Sequence, residues 1–375
     1  MECKILFLSG DGVGPEVVNQ VYKVVQWLEG CGLTFSCSEE SIGGQSIDRW
    51  GTPIQDEVLR KAESVDAIFL GSVGGYKWDN LGFDCKPETG LLRLRKSLDL
   101  FANIRPIFCF DDLADATSMK PEAIEGLDIV FVRELAGGVY FGTPRGIETI
   151  ADGHAATRER RGYNTDVYTT SEIRRVAHVA CKIAMERDKR LCSMDKANVM
   201  EVGALWREEV QWVRDNFYPD VELLHMYIDN GAMQLVRCPK QFDVVVTSNL
   251  FGDIMTDCAA VFAGSLGMLP SASFGEAVNS QGQIRGLYEP VHGSAPDIAG
   301  QGIANPVGAI LSFAMLLRHS LGLDDYADMV KKAVEKVLRD GVRTRDILGN
   351  SMFSPASTDD VGDSVVKALT NAQVV

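Results

Sequence analysis

The chain has 375 residues, 46% hydrophobic and 24% charged, enough apolar material for a sizeable core and a length that predicts two to three domains. Lys and Arg number 37 against 52 Asp and Glu, and a formal charge of −15 with no basic run argues against nucleic acid as a partner. The opening apolar run is too short for a signal peptide, no stretch approaches a membrane span, and nine scattered cysteines without a CxxC speak against a zinc or disulfide framework, so a cytoplasmic enzyme with no membrane partner is expected.

In chain order, β-branched or aromatic runs at 5–8, 67–70, 129–132, 223–228 and 244–247 predict buried strands. Amphipathic stretches at 15–29, 171–187, 307–321 and 326–339 predict helices, the first opening on Pro15, which suits an initial turn. The alternation predicts an α/β fold with a largely parallel sheet. Segment 133–166 departs from it. Glycine-rich, charged and aperiodic, it predicts a projecting arm or hairpin available for subunit contacts.

Gly10-Asp11-Gly12-Val13-Gly14 lies between the first strand and helix and has the look of a dinucleotide turn. The spacing is G-x-G-x-G, Pro15-Glu16 replace the third glycine, and no acid stands at a strand end about 20 residues on, so a tight structural turn is the better reading. Further along, Glu88, Leu91, Leu92 and Arg95 recur at i, i+3, i+4 and i+7. That face is either a core stripe with a salt-bridged end or a pocket wall for a carboxylate and a branched hydrocarbon. Arg105 and Arg133 are further carboxylate clamps, since guanidinium forms paired bonds to such groups. Tyr140 and Lys196 sit among small or apolar neighbours. A buried lysine near a metal and arginines would have its pKa lowered into the range of a general base.

Asp253 and Asp257 stand at i and i+4 of a helix-patterned segment. Such a pair forms a solvated acidic face or holds Mg²⁺ or Mn²⁺, which prefer oxygen ligands. The apolar surroundings and the loop acid Asp229 favour the metal. Finally, Glu289-Pro-Val-His292-Gly293-Ser294-Ala295-Pro296-Asp297-Ile298, running on to Asn305, is either a structural loop or a place where backbone approaches a ligand closely. Asp297 would accept from a ribose diol and repel a 2′-phosphate, which favours NAD over NADP.

The strings GSVGGYKWDNL, PETGLLRLRKSLDLFANIRP, VRELAGGVYFG, DKANV, MYIDNGAMQLV, NLFGDIMTD and EPVHGSAPDIAGQGIANP occur in this order over nearly the whole chain. Together they strongly resemble the isocitrate/isopropylmalate β-decarboxylating dehydrogenase family. The resemblance implies two α/β domains sharing an extended sheet, not a Rossmann fold. The first, on the cofactor side, would be 1–102 plus 264–375; the second would be 103–263, with a dimerisation arm at about 134–166. It also implies a homodimer with shared active sites that uses NAD and Mg²⁺ or Mn²⁺, with a monovalent cation as a further candidate. The reaction implied is oxidative decarboxylation of 3-isopropylmalate. By the same resemblance Arg95, Arg105 and Arg133 bind the malate carboxylates, and Asp229, Asp253 and Asp257 hold the metal. Lys196 and Asp229 would enter from the partner, Lys196 taking the 2-hydroxyl proton, while Tyr140 protonates the enol. Glu88, Leu91, Leu92 and Val199 would meet the isopropyl group and the nicotinamide. The cofactor regions would be 75–88 and 293–305, comprising Gly75, Glu88, Glu289, His292, Gly293, Ser294, Ala295, Pro296, Asp297, Ile298 and Asn305.

Three positions depart from the family pattern: Tyr76 in place of proline, Ala136 of threonine and Gly231 of alanine. None removes a charged or proton-transferring group. Homoisocitrate, isocitrate and tartrate or malate are the competing substrates, and two leucines would leave a third carboxylate unpaired. A silent regulatory subunit is the competing class, against which stands the full set of Lys196, Tyr140 and three acids.

Overall fold

The computed structural model describes residues 2–150, 159–349 and 352–373. Its strands are β1 (Glu2–Gly10), β2 (Thr34–Glu39), β3 (Ala67–Ser72), β4 (Ala102–Phe108), β5 (Asp128–Glu134), β6 (Gly146–Ile150), β7 (Glu159–Tyr163), β8 (Arg190–Asp195), β9 (Glu222–Tyr227), β10 (Val244–Thr247), β11 (Pro270–Val278) and β12 (Ile284–Pro290). The helices are α1 (Gly14–Gly30), α2 (Gly44–Trp50), α3 (Asp56–Ala62), α4 (Pro87–Ser97), α5 (Pro121–Ile124), α6 (Thr170–Met185), α7 (Glu201–Phe217), α8 (Ile228–Arg237), α9 (Asn249–Ala259), α10 (Val307–His319), α11 (Asp324–Arg339) and α12 (Thr358–Gln373). Local sequence explains several ends. Pro15 opens α1, and a reciprocal capping box between Thr169 and Glu172 opens α6. Helix α10 is apolar nearly all round and is correspondingly buried, whereas α11 alternates charged and apolar faces and buries only one.

Ten strands form one sheet in the order β2-β1-β3-β12-β11-β4-β5-β10-β8-β9. Both flanks are parallel, as expected. The centre is not: the β12–β11, β11–β4 and β4–β5 pairings are antiparallel. Strands β11 and β12 are joined by a tight turn, in which Asn279 Oδ1 accepts from the backbone of Gln281 and Gln283, so no helical crossover intervenes. Strands from both chain ends share one flank.

A second difference concerns 223–228. It forms strand β9, but at the sheet edge, paired only with β8 and largely exposed, and Ile228 already belongs to α8. The remaining predicted strands and helices lie within one to three residues of those observed. The arm is an antiparallel hairpin, β6 with β7, whose β6 residues are all exposed; residues 151–158 of the predicted arm lie outside the described residues. One large hydrophobic cluster spans both flanks of the sheet, and a smaller one lies under α3 and α4. Among the described residues no helix is long and apolar enough to cross a membrane.

Candidate active site

The antiparallel centre places two arginines side by side. Asn103 of β4 pairs with Arg133 of β5 and Arg105 with Phe131, so Arg105 and Arg133 are diagonal neighbours on one face of the sheet. Both are almost fully buried and both are satisfied. Arg105 donates from Nε to Asn103 Oδ1 (2.8 Å) and from Nη1 to Thr256 Oγ1 (2.6 Å). Arg133 donates from Nε and Nη2 to Asn249 Oδ1, and from Nη1 to Asp253. Burial lowers the pKa of both guanidiniums; for Arg133 the charge of Arg105 adds to this, bringing it to about 10.

Helix α9 lies across these arginines. Gly252 makes that approach possible, because a Cβ there would lie 2.6 Å from Arg133 Cγ. The predicted i, i+4 pair is present on this helix. Asp253 is 3.6 Å from Arg105 and pairs with Arg133, while Asp257 is 3.5 Å from Arg105. Tyr140, at the end of a short 3₁₀ turn, donates its hydroxyl to Asp253 Oδ2 at 2.9 Å. Burial opposes ionisation of Asp253, but Arg133, Arg105 and the Tyr140 hydroxyl outweigh it and hold the carboxyl below its usual range. For Asp257 burial wins, with repulsion from Asp253 added, and its pKa is raised. Burial and the charge of Asp253 raise that of Tyr140, which keeps its proton.

On α4, Arg95 is buried and pairs with Glu289 at the end of β12 (2.6 Å), while its Nε is buried without a partner. Glu88 is exposed at the opening of the same helix, Leu92 is half-buried, and Leu91 packs in part against the smaller core. The salt-bridged end of this face is present, and both leucines are half-buried.

Lys196 and Asp229 lie apart from this cluster. Lys196 follows β8 and Asp229 opens α8; they form an ion pair with each other at 2.5 Å, and Val199 beside them is 68% exposed. The expectation of a lysine buried among the arginines is thus corrected for a single chain. β8 and β9 form the far edge of the sheet, beyond β5 and β10. Among the described residues no three metal-ligating side chains converge. Gly231 on α8 has a reason of its own, since a Cβ there would lie 2.7 Å from Met194 Sδ.

The two predicted cofactor segments meet at Gly74, where a Cβ would lie 2.9 Å from Glu88 Oε1 and 3.6 Å from Ser294 Oγ. After Gly75, Lys77 and Trp78 are tied to Asp48, leaving Tyr76 72% exposed. His292 Nδ1 faces Gly293 O at 2.9 Å and its Nε2 is buried without a partner; burial lowers the imidazole pKa and keeps it neutral. Gly293 and Asp297 are exposed, Ala295, Pro296 and Ile298 half-buried and Ser294 buried. Asn305 is buried and already engaged, accepting from Val307 N and donating to Asp346.

A family model described as isocitrate/isopropylmalate dehydrogenase matches residues 4–365. The chain belongs to the isocitrate/isopropylmalate dehydrogenase family. Among curated members of this family, the 3-isopropylmalate dehydrogenase of Cereibacter sphaeroides is 59% identical over 366 residues, covering 97% of this chain and 98% of the relative. That of Pelagibacter ubique is 56% identical over 367 residues, 98% of each. Among solved members, isocitrate dehydrogenase from Methylococcus capsulatus superposes with a TM-score of 0.84 at 30% identity, over 98% of this chain and 99% of that one. A β-decarboxylating dehydrogenase from Thermococcus kodakarensis gives 0.74 at 31%, over 100% and 98%. As a family member the chain is a dehydrogenase, and the α/β expectation with an extended shared sheet holds.

Reading the sequence missed the residues that hold the arginines: Asn103, Asn249 and Thr256. Asn249 stood at the head of the Asn-Leu-Phe-Gly-Asp string, and its place just ahead of an acid pair was the available signal. Asn103 and Thr256 carried none.

Proposed function

We propose that the chain oxidises 3-isopropylmalate with NAD and decarboxylates it to 4-methyl-2-oxopentanoate and CO₂, a step of leucine biosynthesis, with Mg²⁺ or Mn²⁺ bound. The observation that carries the chemistry is three buried guanidiniums, those of Arg95, Arg105 and Arg133, beside the Asp253–Asp257 pair and Tyr140. Identity of 53–59% to relatives bearing that name supports the substrate.

The residues fit both absent groups. The buried Nε2 of His292 and Nε of Arg95 have no hydrogen-bond partner among the described residues, and a bound group that paired with them would satisfy both. Asp253, Asp257 and Asp229 offer only oxygen, the donor that Mg²⁺ and Mn²⁺ prefer. A bound metal would polarise the C2 oxygen as a Lewis acid, and NAD would accept the hydride.

This chain's own groups do the rest. Arg95, Arg105 and Arg133 bind the two carboxylates and orient the substrate. Lys196 takes the 2-hydroxyl proton. Tyr140, whose proton is retained, gives it to the carbon left by CO₂. Glu88, Leu92 and Val199 face the isopropyl group and the nicotinamide. Gly75, Glu289 and residues 292–298 and 305 border the cofactor, with Glu289 and Asn305 acting through Arg95 and Asp346. Asp297, exposed and with no side-chain partner among the described residues, favours NAD by repelling a 2′-phosphate.

The site needs a second copy. In one chain Asp229 does not join Asp253 and Asp257 in a ligand set among the described residues, and α8 and α9 both carry exposed apolar side chains. Leu250, Ile254 and Val261 form an exposed stripe along α9 and the turn after it, and Met233 and Val236 another on α8. A two-fold dimer covers both stripes and brings Lys196 and Asp229 of one copy to the acids of the other. The β6–β7 hairpin, too small to be stable alone, supplies the arm. Placement of β1, β2, β3, β11 and β12 on one flank supports the division into 1–102 plus 264–375 and 103–263.

The test is a substrate panel with purified enzyme, NAD and Mg²⁺. Faster NAD reduction with 3-isopropylmalate than with isocitrate or D-malate is expected; the reverse order would overturn the proposal.

A further inference from the structure

The Gly10–Gly14 turn has no task in the mechanism above, and the amides of Asp11, Val13 and Gly14 are already used within the protein. Asp11 N donates to Ser72 O (2.7 Å), Val13 N to Ser294 O (2.8 Å) and Gly14 N to Asp11 O (3.0 Å). The glycines mark contact rather than ligand. Gly10 (φ 71°) and Gly12 (φ 59°) need the left-handed region, and a Cβ on either would lie 1.9 Å from a carbonyl oxygen, that of Ser72 or Ser294. The turn is wedged between the start of the 73–88 loop and the 293–305 segment.

Its two acids reach in opposite directions. The buried Asp11 carboxylate accepts three backbone amides, Gly44 (2.7 Å) and Gly74 (2.9 Å) on Oδ2 and Gln45 (2.8 Å) on Oδ1. The half-buried Glu16 carboxylate accepts Gly300 N and, at 3.0 Å, Gly302 N. Charged acceptors on backbone donors make strong, directional bonds. Neither acid has a basic partner among the described residues, so their whole hydrogen-bonding capacity is directed at these two loops and the opening of α2.

We infer that Asp11 and Glu16 are positioning residues that fix the separation of the 74–88 and 293–305 loops, and through it the affinity for the dinucleotide. The inference rests on the proposed reading of those loops as cofactor-binding. The Gly-Asp-Gly-Val-Gly-Pro-Glu string is then a clamp between two ligand-bearing segments.

The experiment compares Asp11→Asn, Glu16→Gln and Glu16→Ala with wild type, measuring KM for NAD, KM for 3-isopropylmalate, kcat and thermal midpoint. Loss of such a bond set predicts a KM for NAD raised about tenfold in Glu16→Ala, with KM for 3-isopropylmalate within about twofold. Glu16→Gln, which keeps one acceptor, should restore part of the loss. An unchanged KM for NAD in folded Glu16→Ala overturns the inference, as does a parallel change in both KM values that follows the thermal midpoint. If Asp11→Asn does not fold, the partly exposed Glu16 series carries the test. Hydrogen exchange on wild type separates the two assumptions. NAD that leaves 74–88 and 293–305 unprotected removes the loop reading and the inference with it; protection combined with normal NAD binding by Glu16→Ala removes the inference alone.

Discussion

Tyr140 donates its hydroxyl to Asp253 Oδ2 at 2.9 Å, on the same carboxylate that pairs with Arg133. The bond fixes the phenol over the acid pair, and burial together with the charge of Asp253 keeps it protonated. Tyr140→Phe keeps the ring and removes the hydroxyl, and with it the transferable proton and the bond to Asp253. Its kcat should fall by about 10²–10⁴, the usual contribution of a positioned acid, with KM for substrate and thermal midpoint little changed. Steady-state kinetics beside a melting curve check this; a kcat within twofold of wild type would rule Tyr140 out as the acid.

Arg95 and Glu289 form an ion pair with both partners under 10% exposed. Removing one partner leaves the other charge buried alone. Glu289→Ala should therefore cost about 3–5 kcal/mol of stability, read by denaturant unfolding. Glu289→Gln, which keeps an acceptor for Arg95, should cost less.

Two groups away from the arginine cluster make stability depend on pH, with opposite signs. Burial against Phe274, with repulsion from Arg318, brings the His319 pKa down to about 4 from 6.5. Its contribution is present above the unfolded value of 6.5 and is lost as pH falls towards 4, at up to about 1.4 kcal/mol per unit. Burial raises Glu134 to about 7 from 4.5, against its bonds from Ala136 N and Gly137 N. Its contribution is present below 4.5 and is lost as pH rises through 7. The two slopes oppose each other between 4.5 and 6.5, so His319→Leu should tilt a stability–pH curve downward with rising pH there and Glu134→Gln tilt it upward; unchanged slopes would contradict both assignments.

Asp297 is exposed, and in the proposed function it meets the ribose of NAD. Asp297→Asn removes both a strong acceptor and the repulsion of a 2′-phosphate. The ratio of kcat/KM for NAD to that for NADP should drop by about tenfold or more. A constant ratio would place the discrimination elsewhere.

Periodicity made the flanks of the fold legible, because 5–8, 67–70 and 244–247 are unbroken apolar runs that only buried strands accommodate. The antiparallel centre was not legible. β4 pairs with β11 across more than 160 residues of chain, and nothing local in 102–108 announces its direction. Segment 223–228 was legible as a strand but not as an edge: Met226 is in the core and Leu223 packs against it, whereas Leu224 is exposed. At the site, the i, i+4 acids were visible in the spacing of α9. That Asp253 would meet Arg133 and Tyr140 required the register of β4 with β5 and the packing of Gly252 on Arg133. The Gly10–Gly14 turn was set aside as a phosphate site, and its acids were set aside with it, since a glycine template draws the eye to backbone and not to Asp11 or Glu16.

In the proposed dimer one chain carries two half-sites, Lys196–Asp229 and Asp253–Asp257, which complete each other only between copies. Co-expressing Lys196→Ala with Asp253→Asn tests it most directly. Each variant alone should be inactive, while hybrid dimers hold one site with both wild-type groups, so 3-isopropylmalate-dependent NADH formation should return to about a quarter of wild type. If the mixture stays as inactive as its components, the two half-sites do not meet across the dimer and the account is wrong.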